Sequence, residues 1–109
     1  MNTAEFCIVL STCPNAKVAD AIAHELVARG LVACVNILPS VRSVYTWKGK
    51  VERASEHLLL VKSLGRQYKA IEVCIRELHP YELPEIIAVP ISGGLDRYLG
   101  WLAKPEAAT

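Results

Sequence analysis

Val41-Arg42-Ser43-Val44-Tyr45-Thr46-Trp47-Lys48-Gly49-Lys50 is the stretch on which the fold turns. Val41, Ser43, Tyr45 and Trp47 alternate with Arg42, Val44, Thr46 and Lys48, and a period of two is that of a strand whose side chains leave on opposite faces. Lys48-Gly49-Lys50 is a turn signal. The segment that follows, 51–63, ends in the apolar run Leu58-Leu59-Leu60-Val61. Together the two segments predict a two-stranded arm longer than a compact sheet in a chain of this size needs.

Outward from the arm, strand and helix signals alternate. Phe6-Cys7-Ile8-Val9-Leu10 is a short continuous apolar run, which suits a buried central strand. Ala19, Ile22, Ala23, Leu26 and Val27 recur at helical spacing, with Lys17, Asp20, His24 and Glu25 on the other side, so a first helix is expected from about Pro14 to Arg29, with Gly30 as its C′ residue. Ala33 to Ile37 reads as the strand leading into the arm. Pro39 interrupts it, and a proline cannot donate to a ladder, so a bend, a bulge or a sheet edge is expected there. Gly65 opens a second helix carrying Tyr68, Ile71, Ile75 and Leu78 at steps of three and four, and Pro80 ends it. Glu85 to Ile91 predicts a fourth strand, with Pro90 marking an edge or an end. Leu95, Tyr98, Leu99 and Leu102 predict a short C-terminal helix beginning near Asp96, and the small, polar tail 104–109 is expected to fray.

The order is β-α-β-β-α-β plus a terminal helix. Its economical packing is a ferredoxin-like α+β sandwich with a long β2–β3 hairpin arm, in one domain spanning 1–109. That packing covers one sheet face and leaves the other bare, with Val41, Tyr45 and Trp47 on a projecting arm. A large exposed apolar surface marks an interface, so a homo-oligomer with wrapping arms is expected.

Composition narrows the function. Of 109 residues, 52 % are hydrophobic and 21 % charged, with 12 basic against 11 acidic side chains. Such a chain is not disordered, and it lacks the basic excess of a nucleic-acid binder. No apolar run reaches the roughly 18 residues of a membrane span. Met1-Asn2-Thr3-Ala4-Glu5 carries no basic segment and no export signal is read. The four cysteines, Cys7, Cys13, Cys34 and Cys74, have no C-x-x-C spacing and three lie within apolar patterns, so reduced thiols and a cytoplasmic location are expected.

Two places could carry chemistry. If Pro14 opens the first helix, the Cys13 thiol stands at a helix N-terminus, where the macrodipole favours thiolate; the plainer alternative is a turn residue beside an Asn15 cap. His79-Pro80-Tyr81-Glu82-Leu83-Pro84-Glu85 gathers an imidazole, a phenol and two carboxylates between a helix end and a strand start. It could hold copper or zinc, or His79 could simply complement the helix C-terminus while the carboxylates face water. Lys62 is a pocket cation or a surface charge. There is no G-x-S-x-G and no glycine-rich phosphate loop before a helix. The loop after the first strand lacks the arginine of an acylphosphatase-like enzyme, and the central strands lack the aromatics of an RNA-recognition module. No enzyme is expected.

Five blocks in order carry a resemblance: 31–37 (LVACVNI), 43–50 (SVYTWKGK), Glu56 through Lys62, 79–85 (HPYELPE) and 98–102 (YLGWL). The chain resembles the CutA divalent-cation tolerance family from about Phe6 to Leu102. The resemblance implies a ferredoxin-like subunit in a homotrimer similar to the PII signalling proteins, a cytosolic setting and a role in tolerance of copper and other divalent metals. Eukaryotic members of the family are tied to protein anchoring. His79 matches a proposed copper ligand of the family. Ser11 holds the place of the other, a cysteine, and a thiol appears two residues later as Cys13. Either Cys13 substitutes from its shifted position, or this chain binds metal weakly or not at all. Glu85, Tyr45, Trp47, Glu56 and Lys62 also match the pattern. The expected reading is a homotrimer binding a divalent metal, such as copper, or a small effector. In it His79, Cys13 and Glu85 are candidate metal donors, and Tyr45, Trp47, Glu56 and Lys62 line an interface or pocket. The alternative is a structural or anchoring trimer with no ligand site.

Overall fold

A computed structural model describes residues 5–108. Residues 1–4, where no export signal is read, and Thr109 lie outside the described part. The elements run β1 (Phe6–Cys13), α1 (Ala16–Ala28), β2 (Cys34–Trp47), β3 (Lys50–Leu64), a 3₁₀ turn (Gly65–Gln67), α2 (Tyr68–Leu78), β4 (Ile87–Pro90) and α3 (Asp96–Leu102). The sheet order is β2-β3-β1-β4, with every neighbouring pair antiparallel, which is the expected ferredoxin-like arrangement.

β1 pairs with β3 from Phe6↔Leu64 to Cys13↔His57 and goes no further. β2 and β3 stay paired from Val41↔Glu56 out to Trp47↔Lys50, so residues 41–56 form an arm that overhangs the end of β1. The arm closes with Lys48 (φ 51) and Gly49 (φ 80), the two left-handed residues that a tight hairpin turn requires. It stretches the chain to 45 × 33 × 23 Å and raises the radius of gyration to 14.4 Å, against about 13 Å for a compact chain of this length. Both prolines lie where the ladder tolerates them. β2 and β4 are the sheet edges, and the register shifts between Leu38 and Val41 around Pro39 and Ser40 (φ 61).

Alternation divides the sheet. Cys7, Val9, Ser11 and Cys13 of β1 and Leu59 and Val61 of β3 are buried on one face. Ala19, Ile22 and Leu26 of α1 and Ile71, Cys74 and Ile75 of α2 cover them. On the opposite face, Leu38, Ile87 and Val89 are 40–50 % exposed, with half-buried Ile8, Leu10, Leu58 and Leu60 between them. α3 lies against β3, where the Lys62 Nζ donates to the Tyr98 Oη at 3.3 Å.

Several boundaries differ from expectation. α1 begins at Ala16, because Asn15 is the N-cap: its Oδ1 accepts from the Val18 N–H at 2.9 Å. Its far end is as expected. Gly30 (φ 74) closes it, with Leu31 N–H donating to Leu26 O and Gly30 N–H to Val27 O, the paired bonds of a Schellman end. β4 begins two residues later than the expected start at Glu85 and ends one residue earlier, at Pro90. The tail is not free over its described part. The Ala108 N–H donates to Ala28 O at 2.8 Å, and a Cβ on Gly30 would stand 2.8 Å from Ala107 N. Among the described residues no helix is long and apolar enough to cross a membrane.

Candidate functional site

The segment from His79 to Ile86 leaves α2 at the end of β1, close to the base of the arm. Pro80 decides its start. The residue before a proline is pushed out of the helical region, and His79 is extended (φ −83, ψ 132). Its ring is 8 % exposed. Nε2 is 2.7 Å from the Thr12 carbonyl and Nδ1 accepts the Tyr81 N–H at 3.2 Å. A carbonyl can only accept, so the network assigns the proton to Nε2. The imidazole thus ties the end of β1 to the loop, and both of its nitrogens are in use.

Tyr81 stacks on that ring, centroids 4.6 Å apart and tilted 54°. Its Oη donates to the Glu56 Oε2 at 2.8 Å. Burial, and then the hydrogen bond to Glu56, push the Tyr81 phenol well above its ordinary range, so its proton stays in place. Glu56 is 5 % exposed although it carries a carboxylate. A cavity of about 580 Å³ opens beside this pair, between arm and loop. Tyr45 and Trp47 line it from β2, Glu56 from β3, and Tyr81, Glu82 and Glu85 from the loop. Among the described residues no lysine or arginine lines it.

The sequence-derived candidates scatter in an instructive way. Tyr45, Trp47, Glu56 and Glu85 meet at the cavity. Lys62 does not; it is bound to Tyr98 on the open sheet face. Cys13 is the last residue of β1, not a residue at a helix N-terminus, and is fully buried. Burial, and next the charge of Glu56, push its thiol up to about 11, so it is a neutral thiol at neutral pH. This corrects the thiolate expectation: Asn15, not Cys13, meets the helix N–H groups. All four cysteines are free. His79, Cys13 and Glu85 do not form one donor set within the subunit, and among the described residues no three His, Cys, Asp or Glu side chains converge as metal ligands do. With His79 saturated and Cys13 protonated, the residues present do not fit a metal ion inside one subunit. The Tyr81–Glu56 bond, between partners 25 positions apart, carries no local signal in the sequence. The density of polar groups in the loop named Tyr81 and Glu82, but nothing paired them with the arm.

Fold and site together define a class: ferredoxin-like α+β proteins that project a β-hairpin over a tyrosine- and carboxylate-lined cleft. Residues 7–105 match the CutA1 divalent ion tolerance protein family, and the chain belongs to it. It is 45 % identical over 97 residues to the divalent-cation tolerance protein CutA of Thermus thermophilus, covering 89 % of this chain and 94 % of that one. A solved structure of the divalent cation tolerance protein from Thermus thermophilus superposes with a TM-score of 0.88 at 44 % identity, over 90 % and 95 % of the two chains. Protein CutA of Mus musculus is 45 % identical over 91 residues, 84 % of this chain but 51 % of its own, so this chain spans about half the length of that relative. A structure described as periplasmic CutA from Archaeoglobus fulgidus superposes with a TM-score of 0.87 at 34 % identity, over 89 % and 94 %.

Proposed function

We propose that the protein is a cytoplasmic homotrimer that acts by binding rather than catalysis, taking a small effector in the cleft between arm and loop as part of divalent-metal tolerance. The observation that carries the reading is the cleft itself. A buried carboxylate held by a half-buried phenol, under two aromatic side chains of an otherwise exposed arm, is an arrangement that packing alone does not require. The half-exposed Leu38, Ile87 and Val89 support assembly, since a bare apolar sheet face needs a cover. Tyr45 and Trp47, 45 % and 42 % exposed, would meet a neighbouring subunit at the rim of the cleft. Tolerance of divalent cations follows from the family, and the saturated ring of His79 argues against a bare ion held by His79 and Cys13 within one subunit.

The second reading, an anchoring trimer without a ligand, has its own support: His79 is used entirely in fastening the loop to Thr12 and Tyr81. Native mass spectrometry of the reduced protein, with and without one equivalent of copper or zinc, tests the proposal. A trimer is expected, and His79→Ala is expected to lower thermal stability without changing metal uptake. A monomer would overturn the assembly. Stoichiometric metal lost with His79→Ala would overturn the effector reading in favour of a metal site.

A further inference from the structure

Glu56 is the one buried carboxyl side chain among the described residues. It is only 5 % exposed, yet none of the ion pairs among the described residues includes it. One oxygen accepts from Tyr81, and the other, Oε1, has no hydrogen-bond partner among the described residues. That free oxygen is not sealed off with the unsatisfied buried atoms, so it reaches the cavity and can receive a cation there. The walls around it say what kind of cation fits. The cavity of about 580 Å³ is far larger than a metal ion needs, its carboxylates do not converge as metal ligands do, and its remaining surface includes the rings of Tyr45, Trp47 and Tyr81. Aromatic faces attract an ammonium group and cover an apolar body. Glu82 and Glu85 at the rim add negative charge, with no basic side chain among the described lining residues to cancel it.

We propose that the cleft binds a small organic cation, a primary amine carried on an apolar body, with its ammonium group on Glu56 and its body against Tyr45 and Trp47. The proposal rests on the effector reading and names the chemical class of the effector. Glu56 is the specificity-determining residue: it repels anions and offers a neutral hydroxyl a hydrogen bond but no ion pair.

The test is calorimetric titration of the intact protein with benzylamine, against benzyl alcohol as the neutral isostere and inorganic phosphate as the anion. Oligomeric state is read by light scattering in the same samples. Benzylamine is expected to bind about tenfold more tightly than benzyl alcohol, because the amine alone brings a positive charge to the Glu56 carboxylate. Glu56→Gln keeps the shape and an acceptor for the Tyr81 hydroxyl, and it is expected to abolish that margin while leaving assembly unchanged. Trp47→Leu is expected to weaken both aromatic probes. Equal affinity for amine and alcohol, tighter binding of phosphate, or an amine preference that survives Glu56→Gln would each overturn the proposal. A trimer that binds none of the probes would overturn it while leaving assembly intact, whereas a monomer would strike the effector reading first.

Discussion

The two halves of β3 alternate with the same period and come to opposite ends. From His57 onward the strand lies beside β1, and its Leu59 and Val61 are completely buried under α1 and α2. Before Glu56 it is paired only with β2, and Val51 there is 69 % exposed, as its neighbour Val44 is 66 %. Alternation reports that a strand has two faces; it does not report whether a second layer exists to cover either. The helices supply that layer for one half, and nothing within the described subunit supplies it for the other. The proposed function follows the same division. The covered half is packing, and the overhanging half meets a loop and makes the cleft.

The largest test of this contrast is core truncation. Ile22→Ala removes a fully buried side chain that seals β1 and β3, and it is expected to cost about 2–5 kcal/mol in denaturant unfolding. Val44→Ala on the arm is expected to change stability by less than about 0.5 kcal/mol. A comparable loss at Val44 would show that the arm is covered by a second subunit in solution, which would sharpen the contrast into one between intrasubunit and intersubunit cores.

Where the halves meet, the Tyr81–Glu56 bond joins loop to arm. Tyr81→Phe keeps the ring stacked on His79 but deprives a buried carboxylate of its donor, and a loss of about 1.5–3 kcal/mol is expected from the same unfolding measurement. Loss near zero would mean that water replaces the hydroxyl and that the arm base is wetter than its 5 % exposed Glu56 indicates.

Much of this was legible in the sequence, and what was not has identifiable causes. Apolar spacing located every helix and strand, and Pro39 and Pro90 marked the edges, because those signals are local. The first turn of α1 was misplaced because Pro14 and Asn15 compete for one helix start. A free asparagine side chain caps the N–H groups directly, whereas proline at N1 only tolerates their absence. The thiolate expectation for Cys13 fell with that two-residue shift of the helix start. Tyr45, Trp47, Glu56 and Glu85 were singled out as separate residues. Their meeting was not legible, since it depends on how far the arm overhangs β1. Lys62 stands apart from them for the same reason: it lies within the part of β3 that β1 accompanies, opposite Ile8, rather than on the overhang.

The Cys13 correction can be checked by pH. Its thiol proton is held more tightly in the folded chain (to about 11) than in the unfolded one (9.0). The stabilisation is therefore present in full below about pH 9 and is lost as pH rises toward 11, where the unfolded chain has released more protons. The loss is at most about 3 kcal/mol. Tyr81, Tyr68 and Cys74, also raised, fall in the same direction. The Cys13 share is the difference between the wild-type and Cys13→Ala stability profiles over pH 8–11. A wild-type profile no steeper than that of Cys13→Ala would return Cys13 to the candidates for a reactive thiol.

The smallest effect concerns a flaw in the well-packed half. Ser11 and Ser63 both face the core, and both are essentially sealed from solvent. Ser63 has the Cys7 sulfur 3.4 Å from its Oγ, while the Ser11 Oγ has no hydrogen-bond partner among the described residues. An unsatisfied buried hydroxyl costs about 1–3 kcal/mol, but Ser11→Ala also gives up the packing of the atom it removes. A net gain of about 1 kcal/mol is expected, and Ser11→Cys, which fills the space with a softer and less polar atom, should gain at least as much. Urea unfolding at fixed subunit concentration measures both. If Ser11→Ala is instead destabilising, the hydroxyl has a partner in solution, and the covered half of β3 is less dry than its packing implies. If both variants gain, position 11 favours a thiol or a methyl group for packing reasons alone.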